Sequence, residues 1–418
     1  MQIEKYHAKT VIRTSTPSLF SWAEVYLNPY QGCYHNCVYC DGKAEYYHMH
    51  EDFGTRIKIK VNTPDLLKKY LQKKGFFSVH KKVQLTIHEF FPEVFEEENN
   101  YHKPKFIITI GGGVCDTYQP AEKEIKISRK ILEILYDYKF PVWILTKSNL
   151  VLRDIDLLKK INEETNANVN FTITLADDNQ QKIFKPHASS SSERFEAIRQ
   201  LRTEGIHCGI YLLPMMPLFA DKQENLQKIY SQAKEVDAEF IFTGGLTLKP
   251  GRNKNEFMAI LQKHYPKIYL EYQLLYGNNN KYGNIDKEKF TQKGLIWPVY
   301  WGFKYAYESN IDYAAKRYCP PGRFESNVTL YENFYRIMYL KQLLNETRHE
   351  INQFKKAAAF IEDSRRNFDL LTEKDYEKLP LTKTAKNIII NYVETKTCPY
   401  LETLENNVYH FICNKYFS

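Results

Sequence analysis

Three observations in the 418-residue sequence predict an α/β fold, a partial (β/α)6 barrel of the TIM type with a mainly helical C-terminal extension. Short apolar, β-branched runs recur six times up to about residue 250, each followed by a polar helical segment. That rhythm is the mark of parallel strands joined by right-handed crossovers. Beyond 250 the runs give way to long helical stretches broken by turns. The length also exceeds the ~250–300 residues at which a single core stops growing, so a main domain carries an appendage.

Taken in order, residues 1–22 form an N-terminal segment without the charged-then-apolar layout of a signal peptide. The first strand is AEVYLNPY (23–30). The interval 41–105 is too long for a plain loop. It holds a strand-like TRIKIKV, a helix opened by Thr63, Pro64 and Asp65, and an insertion at about 83–103 that includes the acidic FPEVFEEENN. The remaining strands are FIITIGGG (106–113), PVWILTK (141–147), NVNFTITLA (168–176), HCGIYLLPMMP (207–217) and EFIFTGGLTLKP (239–250). Between them lie helical segments such as ISRKILEILYDYKF and SERFEAIRQLRTEG, the latter capped by the serine run 189–192. The expected division is a core at 23–250 and an extension at 251–418, whose helices include YENFYRIMYLKQLLNETRHEINQF and TAKNIIINYVETK.

The net charge of +8 is a mild excess on a chain rich in scattered lysine, not the stripe of a dedicated nucleic-acid binder. No run approaches the ~18 apolar residues of a membrane span, and five of the eight cysteines are scattered. A cytoplasmic protein with reduced thiols, not attached to a membrane, is expected.

The other three cysteines, Cys33, Cys37 and Cys40, crowd into NPYQGCYHNCVYCD as CxxxCxxC, with Tyr39 before the last. Thiolates at this spacing can wrap one metal centre, and soft sulfur selects zinc or an iron-sulfur cluster. Three ligands leave one iron of a 4Fe-4S cube open to a further ligand. The alternative is a Cys3His zinc site completed by His35, His48 or His50, in a binding module without catalysis.

This motif after the first strand of a (β/α) barrel resembles the radical S-adenosylmethionine (radical SAM) superfamily. More narrowly, NPYQGC…CVYC, GGGVCDTYQPAE, ILTKSNLVLRDIDLL, SSERFEAIRQLRTEGI and LLPMMPLFAD look like the spore photoproduct lyase-like group. The resemblance implies a 4Fe-4S cluster on Cys33, Cys37 and Cys40, with S-adenosyl-L-methionine on the open iron and an electron donor such as flavodoxin or ferredoxin. It implies hydrogen-atom abstraction from substrate, with repair of a thymine dimer in DNA as the group's own reaction, a carbon–carbon lyase step. An RNA base, a peptide or a small metabolite are the other substrates such chemistry serves.

By the same resemblance Gly111, Gly112 and Gly113 form the edge approached by the methionine amino group. Tyr39, Lys147, Ser148, Thr172, Thr174 and Arg194 are cofactor-contact candidates, and Cys115, Asp116 and Tyr118 catalytic candidates. Arg317 and Arg323 are the phosphate contacts expected if DNA is bound. Two positions depart from the pattern of true spore photoproduct lyases. Asp41 stands where they have a tyrosine, and Gly113 stands at the hydrogen-donating cysteine, with Cys115 two residues on and on the same face if the strand continues.

Overall fold

The computed structural model describes residues 2–78, 104, 106–111, 114–278 and 280–417; the insertion expected at 83–103 lies outside the described residues. Two sheets organise the N-terminal three quarters. A small one joins β1 (Gln2–Tyr6), β5 (Arg56–Lys60) and β4 (Tyr30–Gln31), β1 and β5 running parallel. The large one has seven strands in the order β10-β9-β8-β7-β6-β3-β2. Here β2 is Ile12–Thr14, β3 Val25–Leu27, β6 Ile108–Gly111, β7 Val142–Thr146, β8 Ala167–Thr172, β9 His207–Met215 and β10 Ile241–Gly245. From β3 to β10 every neighbour is parallel, and β2 adds an antiparallel edge. All six sequence-predicted strands are present, in sequential order across an open sheet.

Helices occupy the crossovers: α1 (Thr63–Lys73), α2 (Ile127–Asp137), α3 (Ile155–Glu164), α4 (Asp178–Phe184), α5 (Ser191–Thr203) and α6 (Gln223–Glu235). The start of α5 follows from its serines: Ser190 accepts from Glu193 N–H and Glu193 reaches back to the cap, a capping box. One sheet face, with Ile108, Ile110, Val142, Ile144, Val169, Phe171, Ile210 and Ile241, is buried and apolar, as parallel strands under helices require. The other face is not uniformly apolar, and that difference positions the site below.

The chain divides into two compact units, Met1–Thr16 with Ala23–Tyr313, and Pro17–Trp22 with Ala314–Ser418. The division therefore falls near 313, not at the expected 250. Helices α7 (Arg252–His264), α8 (Pro266–Leu275) and α9 (Pro298–Ser309) belong with the sheet, α9 because Gly302 sits directly on Thr243 of β10. Ile241 N–H also donates to Asp312 O at 2.8 Å, which ties the end of this segment to the edge strand.

In the second unit α10 (Glu325–Leu343) pairs with α11 (Arg348–Asp363), followed by α12 (Lys383–Thr395) and α13 (Pro399–Tyr416). Trp22 is fully buried in it, donating to Ala315 O at 2.7 Å. The expectation that Arg317 and Arg323 meet phosphates is corrected. Arg317 is buried over the Tyr331 ring and pairs with Glu362 at 2.8 Å, and Arg323 pairs with the same carboxylate at 2.9 Å. Among the described residues no helix is long and apolar enough to cross a membrane.

Because a Cβ built on Gly302 would lie 2.0 Å from Thr243 Oγ1, Gly302→Val should push α9 off β10. The expected cost is ~1–3 kcal/mol of stability in the first unit, read as a lower urea midpoint.

Candidate metal and cofactor site

The cysteine loop is a succession of three tight turns, each opening on a cysteine. Cys33 O accepts from Asn36 N–H at 3.1 Å, Cys37 O from Cys40 N–H at 3.1 Å and Cys40 O from Lys43 N–H at 3.0 Å. Such i to i+3 closures coil the backbone so that three side chains three or four residues apart hang from one small loop. Gly32 leads in at φ 86°, where a Cβ would lie 2.4 Å from Arg56 O, so only glycine fits.

The loop is clamped from several elements. Gln119 donates to Gly32 O (3.1 Å) and accepts from Tyr34 N–H (2.8 Å), and Val38 N–H donates to Phe184 O at the end of α4 (3.0 Å). Asn253 of α7 donates to Cys40 O (3.0 Å). Asp41 is held by Lys249 Nζ (2.6 Å) and Thr247 Oγ1 (3.1 Å) just past β10. His35 does not join the cysteines. Its Nδ1 lies 3.1 Å from His187 O and its Nε2 3.3 Å from Asp116 Oδ2. That removes it from the zinc-site reading.

Burial opposes ionisation of the sulfurs, and only some of the neighbouring groups favour it. Burial pushes the Cys33 thiol well up, with Asp116, Cys115 and Cys37 adding to it, while the Asp116 N–H donated to its sulfur opposes. Burial, then Cys37, pushes Cys40 up to about 11 against the Gly42 N–H and the Lys147 and Lys43 charges. Ionised together, three such sulfurs need a multivalent cation between them. N–H groups aimed at sulfur are also a means by which proteins tune iron-sulfur centres, so this donor set fits a soft cluster. The trio is not drawn into a closed cage: among the described residues no three His, Cys, Asp or Glu stand at metal-holding distance.

Around the loop stand several of the expected cofactor contacts. Gly111 ends β6 at φ 90°, and a Cβ there would be 3.0 Å from Thr117 Oγ1, a buried hydroxyl without a partner; Gly112 and Gly113 lie outside the described residues. The Lys147 ammonium is near enough to Cys40 and Asp116 to act on both, and makes no ion pair among the described residues. Ser148 is instead a structural cap, its Oγ accepting from Leu150 N–H at 3.2 Å. Thr172 O accepts from the fully buried Arg194, and Thr174 Oγ1 accepts from Lys185 Nζ at 2.6 Å. Tyr39 is buried beside Thr174 and Arg194. Sequence reasoning passed over Lys185; a lysine in the KPH turn carried no spacing signal.

The catalytic candidates separate. Asp116 is saturated, accepting from Tyr118 N–H (2.9 Å), Thr146 Oγ1 (2.8 Å) and Lys147 N–H (2.7 Å) with His35 beside it. It joins the cysteine loop to the end of β7 and is a scaffold carboxylate. Tyr118 is fully buried on Asp154 (3.2 Å), in a network with Arg153 and Glu122, and is likewise structural. Cys115 lies beyond the end of β6, so strand alternation does not aim it. It nevertheless packs against the loop, near Cys40 and with Gly32 N–H donating to its sulfur; burial first, then Cys40, pushes it up to about 12.

The sheet face turned from the helices supplies a lining that sequence reasoning missed. In-register neighbours share a face, so Tyr26, Thr109, Trp143 and Asn168 form one row. Leu145, Asn170 and Gly209 form the next, and Thr172, Tyr211 and Phe242 the last, nearest the loop. Gly209 has no side chain because the Phe240 ring occupies its Cβ space. Asn170 donates to Ile144 O (3.2 Å) and Asn168 Oδ1, leaving its own Oδ1 buried without a partner. The signal was present in NVNFT: a polar–apolar alternation is unusual in a strand covered on one face by helices unless the other face lines a cavity.

Residues 27–229 match the model of the Radical SAM superfamily. The chain is 29% identical over 271 residues to the uncharacterized protein MJ0683 of Methanocaldococcus jannaschii, covering 64% of this chain and 86% of that one. It is 23% identical over 254 residues to the uncharacterized protein Rv2578c of Mycobacterium tuberculosis, covering 60% of this chain and 66% of that one. Solved structures of spore photoproduct lyase, one with bound AdoMet and dinucleoside spore photoproduct, align at a TM-score of 0.42 and 16% identity over 63% of this chain and 66% of theirs.

The Asp116 clamp has a pH signature. Burial raises its pKa, but His35, Lys147 and the Tyr118 N–H outweigh burial and hold it at about 2. A carboxyl depressed on folding stabilises fully above its unfolded pKa, near 4, and loses that contribution as pH falls towards 2. Asp116→Asn should therefore cost about 2 kcal/mol at neutral pH and flatten the acid side of the stability curve between about pH 4 and 2. Urea midpoints across that range test it.

Proposed function

We propose, from the premise that residues 27–229 are a radical SAM domain, that the protein is a radical SAM enzyme holding a 4Fe-4S cluster on Cys33, Cys37 and Cys40. The observation that carries this reading is the loop of three tight turns, each opening on a cysteine, with the Asp116 N–H acting on Cys33 and the Gly42 N–H and two lysine charges on Cys40. When bound, the cluster and S-adenosylmethionine supply an electron and a 5'-deoxyadenosyl radical that abstracts a hydrogen atom from substrate.

The chain's own groups do the rest. The glycine at the end of β6 lets a ligand approach the backbone closely, and Lys147 offers a charge for a carboxylate. Tyr39 and the loop clamps fix the position of the reacting centre. Substrate rests on the inner sheet face, where Tyr26, Phe242 and Leu145 are half-buried and Asn170 Oδ1 awaits a donor. Rings with a hydrogen-bonding edge suit a nucleobase, and the sequence likeness to the spore photoproduct lyase-like group supports the same class, DNA photoproduct repair being its finer form. A base in duplex would have to be flipped out to reach this face. Cys115, protonated and beside the loop, is the candidate hydrogen donor to the substrate radical, and the thiyl radical it becomes would need an electron from the cluster's electron donor and a proton to return to thiol.

Anaerobically reconstituted protein is expected to be brown, to absorb at about 400 nm and to release 5'-deoxyadenosine on reduction. Cys33→Ala should abolish all three. A colourless protein containing zinc would instead favour the binding-module reading. If the substrate is nucleic acid, affinity should fall steeply with salt, and an affinity indifferent to ionic strength would point to a peptide or small metabolite.

A further inference from the structure

Lys185 and Arg194 are both fully buried, and neither has a carboxylate partner among the described residues. Arg194 is spent on neutral acceptors: the carbonyls of Ser190 (3.1 Å) and Thr172 and the hydroxyl of Ser191 (3.2 Å). Lys185 Nζ has one hydrogen bond, to Thr174 Oγ1 at 2.6 Å, and sits 6.0 Å from the centroid of the Tyr39 ring. Burial and the neighbouring guanidinium both push the lysine well below its ordinary pKa, and the group that opposes them is Cys37. After Tyr39, Cys37 is also the strongest support for the charge on Arg194. Two buried cations side by side, with no carboxylate in contact and only Asp178 and Asp116 acting on Arg194 from further off, are unfavourable unless a resident anion balances them. The thiolate side of the loop is where that negative charge belongs.

We propose that Lys185 and Arg194 are counter-cations for the cluster's thiolate charge, and that Lys185 sets how readily the cluster accepts its electron. This rests on the cluster assignment made above. A cation held in a dry site beside Cys37 stabilises the more negative, reduced cluster over the oxidised one, and net charge is among the factors that set such potentials. Lys185 is thereby a positioning residue of electrostatic kind; its hydrogen bond to Thr174 keeps the ammonium on the loop side of the end of β8.

The test is a reductive titration of the anaerobically reconstituted full chain, followed by electron paramagnetic resonance. Lys185→Met should move the cluster midpoint to more negative potential at unchanged iron and sulfide content, and Lys185→Arg should return most of the shift. A midpoint unmoved in Lys185→Met overturns the proposal. Melting of the cluster-free proteins gives a second readout. Without its anion the buried amine is a burden, so cluster-free Lys185→Met should melt at or above the wild-type temperature. A fall of several degrees would make Lys185 a prop for Thr174 and overturn its electrostatic role. Wild-type protein that binds no iron would overturn the cluster assignment itself, a result visible before any variant is titrated.

Discussion

The site is organised by a problem of charge. Three cysteines on consecutive turns bring sulfurs together in a place that burial makes hostile to anions, and the structure answers with groups that favour thiolates: Asp116 and Gly42 N–H donors and the ammonium groups of Lys43 and Lys147. Such a loop has little regular hydrogen bonding of its own. Its shape is imposed by side chains reaching in from distant segments, Gln119, Asn253 and Lys249 among them, and each of these follows a strand of the large sheet. The sheet therefore does more than carry the loop; through these side chains it holds the loop's conformation.

The same sheet divides its two faces between stability and chemistry. The helix-covered face is mostly aliphatic, with Ile, Val, Leu and Phe, and supplies the burial that holds the unit together. The opposite face mixes rings with amides and threonines, and its half-buried members are gathered there, Tyr26, Leu145 and Phe242 among them. Polar groups such as Asn170 Oδ1 and Thr117 Oγ1, buried without partners, are costly to the fold alone. They become reasonable where a bound molecule is to complete them.

Much of this was legible in the sequence, and the reason differs by element. The six strands were readable because parallel strands are continuous apolar runs, and the cysteine loop because ligand spacing is local in sequence. The helical 252–313 segment was assigned to the wrong unit because the contact that decides it, Gly302 against Thr243, joins residues that no periodicity links. Asp116 and Tyr118 were placed among the catalytic groups because a polar cluster after a strand looks the same whether it faces substrate or clamps a loop; only the donors around Asp116 tell the two apart. Lys185 gave no signal at all, since its meaning lies in which charges are missing around it.

The departure at position 41 bears on how a hydrogen atom could be returned at the end of the reaction. Asp41 cannot stand in for a phenol: its carboxylate has no hydrogen to give while it accepts from Lys249 and Thr247. A relay through that position is therefore closed, and the side chain has been recruited to fix the loop to the end of β10. The donor proposed above is Cys115, and its surroundings keep its hydrogen in place. Burial and the adjacent Cys40 raise its pKa to about 12, against the opposing pull of Gly32 N–H and Lys60. A thiolate would have nothing to donate, whereas a thiol kept neutral by burial has a hydrogen atom to give. On the reading proposed above, Asp41 and Cys115 are thus compatible as a pair: one fixes the loop, and the other would supply the hydrogen atom.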